Sequence, residues 1–457
     1  MGEIPKGKKA EMMGTYPVGA MLWKLSLPTI TGMVVQASYN MVDAAFIGKG
    51  VGTLALGGTT ICLPFQMLMG AMGGAIGMGG ASLVSRALGR RDRELASRAL
   101  GNVVALALIL GIAATLLGKA SAEGMVTLFG ASEEIKPYAL EYLGIILLGC
   151  PLTLLAMSSN AVVRSEGNAN VAMLSMVISG LTNVFLDWLF IFHFHMGVAG
   201  AAWGTLLSKL LVVIWLISHF TVSPHKVIKL SPRRLRVDRD IVSEISSIGI
   251  SAFVRMAGTS LVMASVNNAM GIYGGPYYVA AYGVTNRVMS IVYMAVNGVA
   301  LGMQPLAGYN YGAGLFDRVR SSIKLSIIWG TGGCVFFFLL LFFLPERVFS
   351  LFTNDPDLIA AGVASLPTIV AGTSLVAIHR IGATAFQALG KGKPAFWLSM
   401  TRHVLVFLPL LATLPRFMGL TGVLLSFPLA DAIAAGITLL PLSKEMGQLK
   451  KEALSTS

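Results

Sequence analysis

Two aspartates stand inside stretches of sequence that are otherwise mostly apolar. Asp43 lies near the end of the run 21–47, and Asp187 interrupts the run 171–192. An acidic side chain at the centre of a membrane span costs about 2.5–3.5 kcal/mol on insertion scales, so it is rarely kept without a partner, a water-filled cavity or an ion. These two carboxylates are therefore the first candidates for chemistry.

Composition shows what kind of protein holds these acids. The 457 residues are 55% hydrophobic and 12% charged, and the mean hydropathy is +0.75. A soluble protein needs a more polar surface than this composition allows. Apolar runs of about 20 residues between short polar breaks predict an all-α integral membrane protein with twelve transmembrane helices, and they lack the alternation of a barrel. The predicted spans begin near residues 18, 54, 94, 134, 167, 197, 241, 278, 318, 357, 394 and 418.

The distribution of basic residues explains the net charge of +13. Lysines and arginines cluster before span 1, between spans 2 and 3, and between spans 6 and 7, and the turns on the other side carry few of them. The positive-inside rule then predicts a multi-pass protein of the plasma membrane with both termini in the cytoplasm. Basic charge here reports orientation, so we predict no nucleic-acid partner.

The chain contains an internal repeat. A shift of 225 aligns 70–93 with 295–318 with seven identities in 24 positions, and shifts of 222 and 223 align later stretches. Six spans return the chain to the same side of the membrane, so the halves are predicted to be parallel repeats that form two pseudo-symmetric six-helix lobes. The predicted division is an N-lobe 1–221, a basic cytoplasmic linker 222–240 and a C-lobe 241–457.

Four oxygen-bearing side chains are predicted to lie at a similar depth in the N-lobe. Asp43 is roughly 6 Å from the outer end of span 1, Asn183 and Asp187 share one face of span 5, and Thr205 is roughly 12 Å below the turn into span 6. Hard oxygen ligands suit a small cation such as Na⁺, and two close carboxylates alternatively hold a proton. A plainer interpretation is that Asp43 is interfacial and Asp187 pairs with Lys209 or the backbone.

Further residues of span 1 bear on how an ion could act. Pro28 removes a backbone hydrogen bond 15 residues before Asp43, so the sequence predicts a bend there, which is either static or a lever that responds to the ion. Gln36 and Asn40 are candidates for a substrate cavity on the same helix.

Glycines crowd span 2. Small residues allow helices to approach closely, and no strand precedes them as a phosphate-binding loop would require. We therefore predict close packing for Gly70, Gly73, Gly74, Gly77, Gly79 and Gly80.

The predicted spans of the C-lobe differ from those of the N-lobe in carrying mainly basic residues. Arg255 or Arg402 is predicted to pair with Asp431, and Arg287 is a candidate for charge pairing or a substrate cavity. If several of the basic side chains face a cavity instead, they favour an anionic solute or a lipid headgroup. The basic residues in or near these spans are Arg255, Arg287, His379, Arg380, Arg402 and His403.

Several segments together resemble one family of transporters. They are Leu27-Pro28, VDAAFIG at 42–48, NVFLD at 183–187, GVAGAAWGT at 197–205 and GYNYGAG at 308–314. Over nearly its whole length the chain resembles multidrug and toxic compound extrusion (MATE) transporters, in particular the DinF-like branch that includes MepA-type pumps.

The resemblance implies the MATE fold, a V-shaped cavity between the lobes, and export of lipophilic organic compounds in exchange for H⁺ or Na⁺ without a cofactor. It also implies that Asp43, Asn183, Asp187 and Thr205 form the cation site and that Pro28 bends helix 1. The NorM-like branch has acids on helices 7 and 10, where this chain has Arg255, Ala257, Ile378 and His379. A C-lobe cation site is therefore not carried over.

The sequence analysis thus favours a monomeric antiporter that exports amphipathic organic compounds and contacts membrane lipids. A flippase or exporter of an anionic or lipid-linked solute is the alternative, because the second lobe is basic. An intramembrane enzyme with Asp43 and Asp187 as a dyad is a third hypothesis. It has less support, since the sequence contains no Walker A or zinc-type motif.

Overall fold

The computed structural model describes residues 8–224, 226–231 and 234–456, and within these ranges the chain forms helices and turns but no strand. The helices of the first half are α1 Lys8–Thr15, α2 Val18–Gly50, α3 Thr53–Ile61, α4 Leu63–Gly89, α5 Arg93–Leu128, α6 Lys136–Leu148, α7 Cys150–Ser165, α8 Ala169–Asp187 and α9 Gly197–Thr221. Those of the second half are α10 Arg239–Gly274, α11 Pro276–Gly312, α12 Phe316–Phe343, α13 Pro345–Ser350, α14 Pro356–Val370, α15 Thr373–Ala388, α16 Gly392–Met400, α17 Leu408–Met418 and α18 Leu420–Thr456. Two π-helical segments, Trp188–His193 and Thr401–Phe407, continue α8 and α16.

Twelve spans are confirmed in the described part of the chain. Ten helical stretches are long and apolar enough to cross a membrane, and α6–α7 and α14–α15 add two spans that are bent by 54° and 47°. Each span begins within two residues of the start predicted from hydropathy. The α6–α7 break falls beside Pro151, which has no N–H to continue the hydrogen-bond ladder of α6.

Packing divides the chain into two compact units. The first unit contains the residues up to Thr15 together with Leu27–Gly249, and the second contains Tyr16–Ser26 together with the chain from Ile250 onwards. The bounds predicted from the sequence followed the repeat, whereas this division follows contacts. It assigns the first turns of α2 to the second unit and the first turns of α10 to the first unit.

Close contacts explain why the first turns of α2 belong to the second unit and those of α10 to the first. Within the second unit, a Cβ at Gly302 would lie 2.9 Å from the Cα of Ser26, and Trp23 packs edge-on against Trp329 with ring centroids 5.8 Å apart. Within the first unit, a Cβ at Gly79 would lie 2.8 Å from the carbonyl carbon of Ile245. Such backbone approach is open only to residues without a large side chain.

The linker is held on the first unit by buried and charged contacts. The fully buried carboxylate of Glu166 lies 2.9 Å from Nε2 of His219 and accepts a hydrogen bond of 2.9 Å from the backbone N–H of Ile228. Further along, Arg234 pairs with Glu94 and Arg98 pairs with Asp238. The described part of the linker is therefore an element of the first unit.

The glycines of α4 bring this helix close to α7, as predicted. A Cβ at Gly77 would lie 2.9 Å from the Cβ of Ala161 and 3.0 Å from the Cα of Ser158. At Gly73 the nearest atoms of α7 would be 3.1 and 3.3 Å away. Gly70, on the same helix, has only the sulfur of Met157 within reach, at 3.9 Å.

We expect Gly77→Ala to lower the free energy of unfolding by about 1–3 kcal/mol, because the added methyl group must push α4 and α7 apart. Thermal unfolding in detergent micelles measures the effect. Gly70→Ala is the matched control and should leave the melting temperature nearly unchanged. Equal melting temperatures for the two variants would contradict close packing at Gly77.

Candidate functional site

Three elements of the first unit carry the four side chains predicted to bind a cation. Asp43 lies in the last turns of α2, Asn183 and Asp187 lie one turn apart at the end of α8, and Thr205 lies in α9. Asp187 is the last residue of α8 before the π-helical segment begins. Segments of this kind often occur at functional sites.

The structure brings the four side chains together. The amide nitrogen of Asn183 donates to Oδ1 of Asp187 at 3.3 Å and to Oγ1 of Thr205 at 3.4 Å. The carboxyl groups of Asp43 and Asp187 lie within hydrogen-bonding reach of each other. Asn183 and Asp187 are buried, whereas Asp43 and Thr205 are half-buried.

Three buried oxygens of this cluster lack a hydrogen-bond donor among the described residues. They are Oδ1 of Asp43, Oδ1 of Asn183 and Oδ2 of Asp187. An ionised carboxylate can only accept hydrogen bonds, so two adjacent carboxylates cannot satisfy each other. Either one proton shared by the pair or a small cation among the oxygens would remove this deficit.

Lys209 does not neutralise the cluster. Its Nζ donates to the hydroxyl of Tyr39 at 3.5 Å, and the ion pairs of the described residues include none between Lys209 and Asp187. The alternative in which Lys209 pairs with Asp187 is therefore wrong.

Gly204 provides the space for the carboxylate of Asp187. A Cβ at position 204 would collide with Oδ1 of Asp187. The close approach of α9 to the end of α8 thus depends on the absence of a side chain at this position. The glycine-rich stretch at 197–205 contained this signal, but the sequence did not show which carboxylate it faces.

The sequence analysis missed a neighbour of the carboxylates and the residue that binds it. Tyr142 is buried within electrostatic range of both Asp43 and Asp187, and its hydroxyl accepts a hydrogen bond of 3.2 Å from Nε2 of Gln66. Gln66 is an isolated polar residue in an apolar stretch, which was the available signal. Only the fold places Tyr142 near the acids and Gln66 against Tyr142.

The other predicted residues of α2 lie on the same helix as Asp43. Pro28 is inside α2, which is assigned as one helix from Val18 to Gly50. Gln36 is half-buried and Asn40 is exposed. A cavity of about 530 Å³ lies between α2 and α8, but its lining does not include Gln36 or Asn40. It is lined mostly by apolar side chains, with Val35, Tyr39, Val42, Leu181, Phe185 and Trp188 among them.

The charged residues of the second unit form a separate group. Nε of Arg402 donates to Oδ1 of Asp431 at 2.5 Å, which confirms one of the two predicted pairings. Arg255 is half-buried and Arg287 is exposed. Among the described residues, no three His, Cys, Asp or Glu side chains group in a way that could hold a metal ion.

The two halves of the chain match the same family model. The MatE model matches residues 28–189 and again 251–412, an offset of 223, and the two matches together cover more than half of the chain. The chain belongs to the MatE family. The double match confirms the internal repeat and assigns the chain to a family of multi-pass membrane transporters.

Similar proteins support this assignment over most of the chain. The Multidrug export protein MepA of Staphylococcus saprophyticus is 27% identical over 416 residues and covers 90% of both chains. The protein of the same name from Staphylococcus aureus is 26% identical over 425 residues and covers 92% of both. A crystal structure described as MATE in the bent conformation matches with a TM-score of 0.93 at 24% identity, over 98% of this chain and 100% of that one.

We expect Asn183→Ala to lower the free energy of unfolding of this MatE protein by about 1–3 kcal/mol, because Asp187 loses its amide donor in a buried site. Differential scanning fluorimetry in detergent measures the change. Asn40→Ala, at an exposed position of α2, is the control and should unfold like the wild type. If the two alanine variants unfold at the same temperature, the amide does not support Asp187.

Proposed function

We propose that this chain is a secondary active antiporter that exports amphipathic organic compounds in exchange for H⁺ or Na⁺ bound between Asp43 and Asp187. The observation that carries the proposal is the group of three donorless oxygens around two adjacent carboxylates. Membership of the MatE family and relatives named as multidrug export proteins support the direction and class of transport.

An ion bound to the carboxylate pair would change the electrostatic interaction between α2 and α8. With the site empty and both groups ionised, two unit charges about 4 Å apart repel by about 4 kcal/mol at an effective dielectric constant of 20. A bound proton or Na⁺ removes this repulsion. A ligand shifts a conformational equilibrium only by the difference in its affinity for the two states, and relief of this repulsion provides such a difference.

Pro28 is the proposed place where α2 responds. It lacks the N–H that would bond to the preceding turn, so bending there breaks fewer hydrogen bonds than elsewhere in the helix. The first turns of α2 belong to the second unit by their contacts, and the helix belongs to the first unit from Leu27 onwards. A bend at Pro28 would therefore move the part of α2 that carries Asp43 relative to its first turns.

The remaining assignments follow from the same proposal. Both termini lie in the cytoplasm, the protein acts as a monomer in the plasma membrane, and it needs no cofactor because the ion gradient supplies the free energy. The carboxylate pair binds an ion and does not cleave a substrate. Export of an anionic or lipid-linked solute is the second candidate, favoured by the arginines of the second unit.

We expect Asp43→Asn and Asp187→Asn each to reduce gradient-driven transport to the level of empty proteoliposomes, because an amide neither takes up a proton nor binds Na⁺ as a carboxylate does. Uptake of a fluorescent organic substrate is measured with pH and sodium gradients imposed separately, which identifies the ion. Asp240→Asn, at an exposed acid outside the site, should transport normally.

Wild-type rates for both site variants would remove the coupling role from these residues. Transport that continues without any gradient would argue against an antiporter. Peptide cleavage by the purified protein in the absence of a gradient would instead support the intramembrane enzyme.

We expect Gly204→Ala to lower coupled transport at least about tenfold, since displacing Asp187 by even about 1 Å disturbs the geometry of the site. The variant retains both acids, so it tests their placement. Gly144→Ala is the control, because a Cβ at Gly144 would meet no atom within 4 Å. Equal transport rates in these two variants would show that the position of Asp187 is not critical.

A further inference from the structure

The interior of the second unit contains more basic than acidic charge. Arg255 lies in the middle of α10, Arg380 in the middle of α15, and Arg402 in the π-helical segment after α16. Asp431 pairs with Arg402. The other acids at positions 250–457 lie in linkers, in first turns of helices or in the last turns of α18, and they are Asp317, Glu346, Asp355, Asp357, Glu445 and Glu452.

Contacts show that these basic groups form one cluster. The guanidinium carbons of Arg380 and Arg402 lie 5.9 and 6.0 Å from the centre of the same Tyr293 ring. Arg255 lies within electrostatic range of Arg380 and His379. Three guanidinium groups against one carboxylate leave a formal excess of two positive charges in a region that spans the membrane. Uncompensated charge of this kind is costly in a low-dielectric interior.

Arg402 and Arg380 each use Nε for a hydrogen bond within the protein. Nε of Arg402 donates to Asp431 at 2.5 Å, and Nε of Arg380 donates to Oδ1 of Asn297 at 2.5 Å. The terminal amino groups of Arg380 donate to no described residue, and this side chain is half-buried. Arg380 therefore presents the planar edge that binds a carboxylate or phosphate group through two hydrogen bonds.

His403 lies beside this cluster. Its Nε2 lies 3.4 Å from the terminal nitrogen of Arg402 and 3.2 Å from the hydroxyl of Thr259. The hydroxyl of Thr259 donates its one proton to the backbone carbonyl of Arg255 at 3.0 Å, so it can only accept from Nε2 of His403. Nδ1 of His403 is buried and has no partner among the described residues.

The repeat shows that this charge is not part of the shared scaffold. At the family model's offset of 223, the positions of Arg255, Arg380 and Arg402 correspond to Gly32, Met157 and Ser179 of the first half. Conversely, Asp43 and Asp187 correspond to Val266 and Leu410. The first unit carries buried acids where the second is apolar, and the second carries arginines where the first is neutral.

We infer that the second unit holds a binding site for the anionic group of an amphipathic solute, a carboxylate or a phosphate, formed by Arg255, Arg380 and Arg402 beside His403. The inference deepens the proposed export function by naming the charge of the solute. Binding at this site requires no ion gradient, so it is measured separately from coupling at Asp43 and Asp187.

The test is equilibrium binding to the purified full chain in a neutral detergent without a gradient. Cholate is the amphipathic carboxylate probe and tetraphenylphosphonium is the lipophilic cation probe. We expect Arg255→Gln and Arg380→Gln each to weaken cholate binding about tenfold, as for loss of one charged hydrogen bond, and to leave cation binding unchanged. Arg287→Gln, at an exposed arginine of the same unit, should bind both probes like the wild type.

Asp431→Asn tests the site in the opposite direction. The amide oxygen still accepts from Arg402 while the negative charge disappears, so cholate should bind more tightly. A misfolded variant would not gain affinity. Similar affinity of the wild type for both probes, equal weakening of both probes in the arginine variants, or loss of cholate binding in Asp431→Asn would overturn the inference.

Competition distinguishes the sources of the anion. Displacement of cholate by dispersed phosphatidylglycerol would identify a lipid headgroup as a ligand, and displacement by inorganic phosphate would show that the free anion suffices. Cholate binding that neither competitor affects would assign the site to amphipathic carboxylates. Displacement of cholate by tetraphenylphosphonium at matching affinity would count against an anion site.

Discussion

The structure depends on one constraint of the bilayer, which is that a charge inside it has no water to bind and must find a partner within the protein. At Asp43 and Asp187 the described partners are the amide of Asn183 and the other carboxylate, and three oxygens still lack donors. Buried oxygens without hydrogen-bond donors cost free energy, which a purely structural site would not offset. This arrangement is the one expected of a site whose remaining partner arrives and leaves.

In the second unit the same constraint acts on buried side chains of positive charge. Arg402 and Asp431 neutralise each other, and Arg255 and Arg380 add two further guanidinium groups to the same region. Two repeats that match one family model thus present acids in one unit and guanidinium groups in the other. Duplication explains the shared helices, and divergence of a few buried side chains explains why an ion and an anionic solute could be bound in different units.

Close backbone contacts leave little room for an added side chain beside either site. Gly204 leaves room for the carboxylate of Asp187, and at Gly258 an added Cβ would lie 3.1 Å from the Cβ of His403. Glycine also lets α4 lie against α7. Because transmembrane helices gain little from hydrophobic burial against each other, such contacts and the polar pairs contribute much of the packing specificity.

Hydropathy alone determined the number, the approximate starts and the helical nature of the spans, because each bilayer crossing requires about 20 apolar residues whatever its neighbours are. Helical periodicity and depth were enough to predict that Asp43, Asn183, Asp187 and Thr205 occupy one layer. Periodicity does not say which face of a helix meets which neighbour. Tertiary structure therefore decided that Lys209 binds Tyr39, that Tyr142 lies near the acids and binds Gln66, and that Asp431 pairs with Arg402. It also decided that the first turns of α2 and α10 belong to the opposite units, since the glycine contacts that hold them join residues far apart in sequence.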